Sequence, residues 1–355
     1  MLHIKCSGTP HEIGTKHGSA AKTQIDRCIE FYAGMFQEKC ALDWEGVRSL
    51  AESFAVKIKS TWPAYYAEME GIAHGAGRST IDIIALNVRT EIAFGCFSDG
   101  CTSLAWHTKD YSFLAQNWDW QPAQKENLVI LEIQHPPKPT IRMVTEAGII
   151  GKIGFNSAGV GVCLNAIRVK GVDQTQLPVH LGLRMALEAI SANEALESLQ
   201  QWGIASSAHI LIADSEQALG CEFTATTTAV MHADNHGRVI HTNHLLLAHP
   251  GVVDTIWLKD SPFRVERMRE LSDAVEEGLT WEGFSSLFED RENAPGAICR
   301  TAESQTLFNI VMDLKGGRVV VRLGLPSEPE EVLELGFGRE FETRVEKASF
   351  QDTSC

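Results

Sequence analysis

Hydrophobic spacing changes period near residue 100 of this 355-residue chain, and that seam limits what the chain can fold into more than any other feature. Before it, apolar residues recur at helical intervals. Thr9-Pro10-His11-Glu12 supplies a capping hydroxyl, a first-turn proline and an acid three positions on, which predicts a helix start. Ile25, Cys28, Ile29, Tyr32 and Met35 then form one stripe within a helical run from Ile13 to Phe36. Trp44 to Met69 reads as a second helical stretch interrupted near Pro63, and Ser79-Thr-Ile-Asp82 starts a third. The first hundred residues are therefore expected to be a helical cover.

After the seam the pattern is one of short strands. Leu128 to Ile133, Ile141 to Thr145 and the glycine-punctuated run from Ile149 to Asn165 predict a meandering antiparallel sheet. A helix is expected from about Pro178 to Gly203, with a cap-like start inside it at Ser191 to Glu194, and another from Pro262 to Phe288. Further strands are expected at Ile210–Ala213, Ala229–Met231, Val239–Thr242, Leu307–Met312 and Val319–Leu323. This order predicts an α+β fold in which helices cover two layers of sheet. No repeat, low-complexity linker or charge block marks a second independent domain.

Gly100-Cys101-Thr102-Ser103 stands on the seam. Glycine leaves the carbonyl before Cys101 unshielded, so an attack by the Cys101 thiol on the Gly100 carbonyl, followed by hydrolysis, would free residue 101 as a new chain start. That start would carry both a thiol and an α-amine, and an α-amine titrates near pH ~8, low enough to accept a thiol proton close to neutrality. Cys101 to Trp106 and Tyr111 to Trp118 flank the polar stretch His107 to Asp110 and read as a hairpin. Folding about residue 110 would set Asp119 opposite Cys101, while a turn at 108 and 109 would shift the pairing by about three residues. Either register leaves a carboxylate near the strand start.

A formal net charge of −15 excludes nucleic acid as the main partner, since phosphate binding needs concentrated Lys and Arg. A hydrophobic content of 44% is ample for a core. The opening Met1-Leu-His-Ile-Lys-Cys6 lacks an apolar secretion core and no run of about 18 apolar residues occurs, so a cytoplasmic protein without membrane partners is expected. Nine scattered cysteines without a Cys-x-x-Cys fit neither a disulfide scaffold nor a zinc ribbon. His232, His236, His241, His244 and His249 are dense, but their spacing matches no metalloprotease helix, and they read as polar groups around a loop and strand with no bound metal.

Asp99-Gly-Cys-Thr102, Gln116-Asn-Trp-Asp119, Glu146-Ala-Gly-Ile-Ile-Gly-Lys152, Gly154-Phe-Asn-Ser-Ala-Gly-Val160 and His241-Thr-Asn-His244 occur in this order. With them the chain resembles the acyl-CoA:6-aminopenicillanic acid acyltransferase (isopenicillin N acyltransferase) family, over nearly its whole length. The resemblance implies a four-layer αββα sandwich of the N-terminal-nucleophile type. It implies a precursor cut by itself into an α subunit, residues 1–100, and a β subunit, residues 101–355, within one structural domain.

Carried over, Cys101 is the nucleophile for cleavage and acyl transfer, Gly100 precedes the cut, Asp119 orients, Asn243 donates to the oxyanion, and Arg300 holds a carboxylate or the active-site acid. Thr224 stands where the family has a serine, as a substrate-binding candidate. No cofactor is implied beyond acyl-CoA as a co-substrate; the partners are an acyl donor, an amine acceptor and the two fragments themselves. The loop between Arg300 and Thr306 is shorter than in the penicillin enzyme, and Asp352-Thr-Ser-Cys355 replaces a peroxisomal-type tripeptide. An N-acyl amide amidohydrolase with the same site, and an unprocessed non-catalytic binding protein, stay open as alternatives.

Overall fold

The structure is a computed structural model and describes residues 1–93, 95–96, 100–275, 278–337 and, for the backbone alone, 344–347. Asp99 and the terminal Asp352 to Cys355 lie outside the described residues. β1 (Leu2–Ser7) precedes α1 (Pro10–Ala20), α2 (Lys22–Cys40), α3 (Trp44–Thr61), α4 (Pro63–Ala76), α5 (Thr80–Asn87) and α6 (Arg89–Ile92). Strands β2 (Gly100–His107), β3 (Ser112–Trp120), β4 (Leu128–Gln134), β5 (Ile141–Glu146), β6 (Ile153–Asn156) and β7 (Gly161–Ala166) follow. Next come α7 (Val179–Leu187), α8 (Ala192–Trp202), β8 (Ala208–Ala213), β9 (Ala218–Phe223), β10 (Thr228–His232) and β11 (Arg238–His241). The chain closes with α9 (Ser261–Asp273), α10 (Trp281–Ser286), β12 (Gln305–Asp313), β13 (Arg318–Leu325), β14 (Glu328–Gly336) and β15 (Arg344–Lys347).

Two sheets stack face to face. One has eight strands in the order β1-β4-β5-β6-β7-β8-β9-β10, the other seven in the order β11-β2-β3-β12-β13-β14-β15. Helices α1 to α8 lie on the eight-stranded sheet and α9 and α10 on the seven-stranded one, which makes an αββα sandwich. Strands β2, β3 and β12 of the seven-stranded sheet are buried on both faces, and the period-2 alternation of a strand divides their side chains accordingly. Ala105, Leu114, Trp118, Ile310 and Met312 face the other sheet, whereas Leu104, Trp106, Phe113, Ala115 and Val311 pack beneath Val265, Met268 and Phe284 of α9 and α10.

The expected helices are present but broken. The run through Ile13 to Phe36 parts at Ala21, and the run from Pro178 parts before Ser191, whose hydroxyl accepts from the Glu194 amide and caps α8. The helix expected over Pro262–Phe288 ends at Asp273 and restarts behind the Thr280 cap. The first hundred residues are more than a cover, because Leu2–Ser7 pairs in parallel with Leu128–Gln134 at the sheet edge. Its alternation, with Ile4 and Cys6 buried and Lys5 and Ser7 exposed, is that of a one-sided strand. Thr9 and Glu12 form the predicted capping box of α1.

α1 and α4 pack closely through glycines. A Cβ on Gly14 would lie 1.9 Å from the Glu68 carbonyl oxygen, and one on Gly71 would lie 2.2 Å from that of His11. No described helix is long and apolar enough to cross a membrane, and no two described cysteines are bridged.

Candidate active site

β2 opens the site. Its antiparallel register with β3 sets Cys101 opposite Trp118 and Gly100 opposite Asp119, one residue from the pairing expected for a fold about residue 110. That single step matters, because neighbouring residues of a strand point to opposite faces. By this alternation Cys101 shares the inner face with Trp118, whose ring carries the Lys152 ammonium 3.8 Å from its centroid. Asp119 shares the outer face with Gly100. The Cys101 side is fully buried.

Asn243 lies two residues beyond the end of β11 and reaches Cys101 from the neighbouring strand end. Its Oδ1 accepts from the Cys101 backbone N–H at 2.9 Å, and its Nδ2 donates to the Ala166 carbonyl at 3.0 Å. The turn that carries it is fastened from below. Ser261 Oγ accepts from the Asn243 N–H at 2.7 Å and lies 2.8 Å from Thr242 Oγ1 and 2.7 Å from His244 Nδ1. Behind the turn, the Glu222 carboxylate takes His241 Nε2 at 2.8 Å, His249 Nε2 at 3.0 Å and the N–H groups of Leu246 and Leu247 at 2.6 and 3.0 Å. Burial opposes the charge of Glu222, but these donors outweigh it and draw its pKa down to about 2. The histidine-rich segment is thus a scaffold for Asn243. No described group of three or more His, Cys, Asp or Glu side chains is placed to hold a metal.

Arg264, one turn into α9, is the residue that sequence reasoning missed. Fully buried, it donates to the Cys101 carbonyl at 2.6 Å, to Thr102 Oγ1 at 2.9 Å, to Asn243 Oδ1 at 2.8 Å and to Asp260 Oδ2 at 2.7 Å. Both flanks of the Cys101 peptide are therefore held, its N–H by Asn243 and its carbonyl by Arg264. The Asp260-x-x-x-Arg264 spacing was the available signal, but such a pair on a helix ordinarily marks a solvated face. Only the packing of α9 over β2 turns it inward.

Arg300 donates to the same Asp260 oxygen, and its Nε lies 3.5 Å from Asp119 Oδ2. Thr306, opposite Asp119 across β12 and β3, donates from its hydroxyl to Asp119 Oδ1 at 2.7 Å and accepts from the Arg300 N–H at 3.0 Å. A β-bulge between Thr306 and Phe308 adjoins this contact. Two guanidiniums and two carboxylates are gathered here. Burial raises the pKa of Asp119, against the pull of Arg300 and Arg264, and its Oδ2 has no hydrogen-bond partner among the described residues. That oxygen sits against Gly100, where an added Cβ would lie 3.2 Å away and 3.6 Å from Arg300 Nε.

The structure thus brings Gly100, Cys101, Asp119, Asn243 and Arg300 together. Thr224 stands apart. Its hydroxyl closes the turn between β9 and β10, accepting from the Thr227 N–H at 3.0 Å and lying 2.8 Å from Thr227 Oγ1, and none of its hydrogen bonds reaches Cys101, Asp119 or Asn243. A serine there would make the same turn.

Stacked sheets between helix layers, with a cysteine at the head of an inner-layer strand, define an αββα fold of the N-terminal-nucleophile type. The same fold is seen in a Cys-to-Ala mutant of conjugated bile acid hydrolase from Clostridium perfringens, with a TM-score of 0.50 and 15% identity over 70% of this chain and 96% of that one. The chain belongs to the acyl-coenzyme A:6-aminopenicillanic acid acyl-transferase family, whose sequence profile matches residues 106–328. It is 44% identical over 346 residues to the acyl-coenzyme A:6-aminopenicillanic-acid-acyltransferase 40 kDa form of Emericella nidulans, covering 95% of this chain and 96% of the relative.

Proposed function

We propose that the chain is a precursor that cuts itself between Gly100 and Cys101 and then transfers acyl groups to an amine through a Cys101 thioester. The observation that carries this reading is the grip on the Cys101 peptide, with Asn243 Oδ1 on its N–H and Arg264 on its carbonyl. Such a grip fixes the position of residue 101 before and after the cut. In the first step the thiol adds to the Gly100 carbonyl, the C–N bond breaks, and the nitrogen takes a proton to become the Cys101 α-amine. Water then hydrolyses the Gly100 thioester.

In the mature enzyme that amine accepts the thiol proton as the sulfur attacks an acyl donor, and returns it to the leaving group. The amine acceptor then attacks the Cys101 thioester. The Asn243 side-chain amide is assigned to donate to the tetrahedral oxyanion, a role worth roughly 3–4 kcal/mol in other acyl-transfer enzymes. Asp119, beside Gly100 and tied to Thr306 and Arg300, orients the new terminus. The Emericella relative's name supports an acyl-coenzyme A donor and 6-aminopenicillanic acid as the acceptor. A thioester-to-thioester exchange is nearly isoenergetic, which suits a cysteine nucleophile.

Intact mass and N-terminal sequencing test this. Cys101→Ala should leave a single 39.1 kDa chain, while the wild type yields a fragment beginning Cys-Thr-Ser-Leu that gains the acyl mass on incubation with an acyl-CoA. Normal cleavage of the Ala variant would overturn the assignment.

A further inference from the structure

A groove of about 740 Å³ opens beside the site, lined among others by Arg168, Lys170, Val252, Val253 and Trp257. It adjoins a second cavity of about 270 Å³ that reaches Gly100, and Cys96 and Trp257 line both. An elongated ligand lying in the groove therefore points one end at the Gly100–Cys101 junction. Three observations define what that ligand is.

The groove is cationic in an acidic protein. The chain carries 46 Asp and Glu against 31 Lys and Arg, yet among the described residues this groove is lined by Arg168 and Lys170 and by no carboxylate. Arg168 is also incompletely satisfied. Its guanidinium carbon stacks 3.5 Å from the Trp257 ring centroid, and its Nη1 is buried with no hydrogen-bond partner among the described residues. A guanidinium N–H left in this way calls for an acceptor, and a planar fork over an aromatic ring is suited to phosphate or carboxylate. Burial lowers the pKa of Arg168. Finally, the groove also carries apolar groups open to solvent, with Trp257 50% and Val253 78% exposed. Large apolar groups so exposed around a cleft mark a binding surface rather than a core.

We infer that this groove binds the anionic tail of the acyl donor, with Arg168 and Lys170 on its charged group and Trp257, Val252 and Val253 along its chain, so that the acyl end reaches Cys101. The inference rests on the acyl-transfer reading for the direction of the ligand, and assigns residues to the donor end that the motifs do not name. The anion has two chemical sources. It is the phosphate of a coenzyme-carried thioester, or the carboxylate of an amide donor.

Lys170 is exposed and touches none of the machinery described above, so Lys170→Glu tests the charge with little risk to the fold; Arg168→Ala follows it. Binding of free coenzyme A to mature protein, measured by calorimetry, should weaken about ten- to hundredfold in each variant. Binding of pantetheine, which lacks phosphate, should not change. In steady state, KM for an acyl-CoA that the wild type uses should rise by a similar factor at nearly constant kcat, while the neutral N-acetylcysteamine thioester of the same acyl group keeps its KM. If coenzyme A binding is unaffected but an N-acyl amide bearing a carboxylate loses affinity relative to its methyl ester, the anion is the carboxylate.

Equal losses for charged and neutral ligands, or wild-type affinity for every anionic ligand in both variants, would overturn the groove assignment. Failure of the wild type to take up acyl mass at Cys101 from the neutral thioester would instead overturn the acyl-transfer reading, whatever the groove binds.

Discussion

Arg264→Met removes a cation that touches both the Cys101 peptide and Asn243, and puts in its place a side chain of similar reach and no donor. Three acceptors lose a charged partner: the Cys101 carbonyl, Thr102 Oγ1 and Asn243 Oδ1. Asp260 keeps Arg300. Loss of hydrogen bonds from a buried ion is offset in part by relief of the guanidinium's own burial, so the expected destabilisation is about 2–4 kcal/mol.

The distinctive effect is on proton affinity. Two hydrogen bonds, 2.8 and 2.9 Å long, link Arg264 to the Cys101 nitrogen through Asn243 Oδ1, so the cation lies within about 6 Å of what becomes the α-amine. A nearby positive charge disfavours the ammonium and holds the amine in the neutral, basic form. Its removal raises the amine pKa, by about one to two pH units at the effective dielectric of a partly buried site. Asp119, Asp260 and Arg300 face the same position from β3, the α9 start and the segment before β12, and stay in place.

The assay is the pH dependence of kcat/KM in protein whose cleavage has been verified by mass. The acid limb should move to higher pH in Arg264→Met and return in Arg264→Lys, which restores the charge without the fork. A lower Tm with an unmoved acid limb and unchanged kcat would show that Arg264 only stabilises the fold, and the positioning argument would be refuted.

Gly14→Ala should lower the melting temperature markedly and leave the charge network of the site in place, because its Cβ meets backbone at 1.9 Å and α1 and α4 must separate to admit it; thermal unfolding beside a surface Ala variant measures this. Glu222→Gln should flatten the acid side of the stability curve. With a folded pKa near 2, below the ordinary carboxylate value, Glu222 contributes stability that is full above about pH 5 and is lost as pH falls toward 2. The drop in Tm over that window should therefore be smaller in the variant, and an unchanged drop would remove Glu222 from its role under the Asn243 turn.

Much of this molecule was legible in its residues. The helical first hundred, the strands after the seam and the hairpin between Cys101 and Asp119 follow from local spacing, which one segment expresses by itself. The breaks at Ala21 and before Ser191 were less so, because apolar periodicity continues through a bend when both helices pack on one core. The strand Leu2–Ser7 was hidden for a related reason: six residues of alternation become a strand only when a partner, here β4, supplies the ladder.

Residue types and their order determined that a cysteine after glycine heads a strand, with an amide and a carboxylate available to it. Tertiary structure alone decided which face each takes, since a one-residue step in register places Asp119 beside Gly100 rather than Cys101. It also decided that Arg264 belongs to the site and that Arg168 lines a groove. A charged side chain has no period that announces its partner; its meaning comes from the elements that close over it and exclude water.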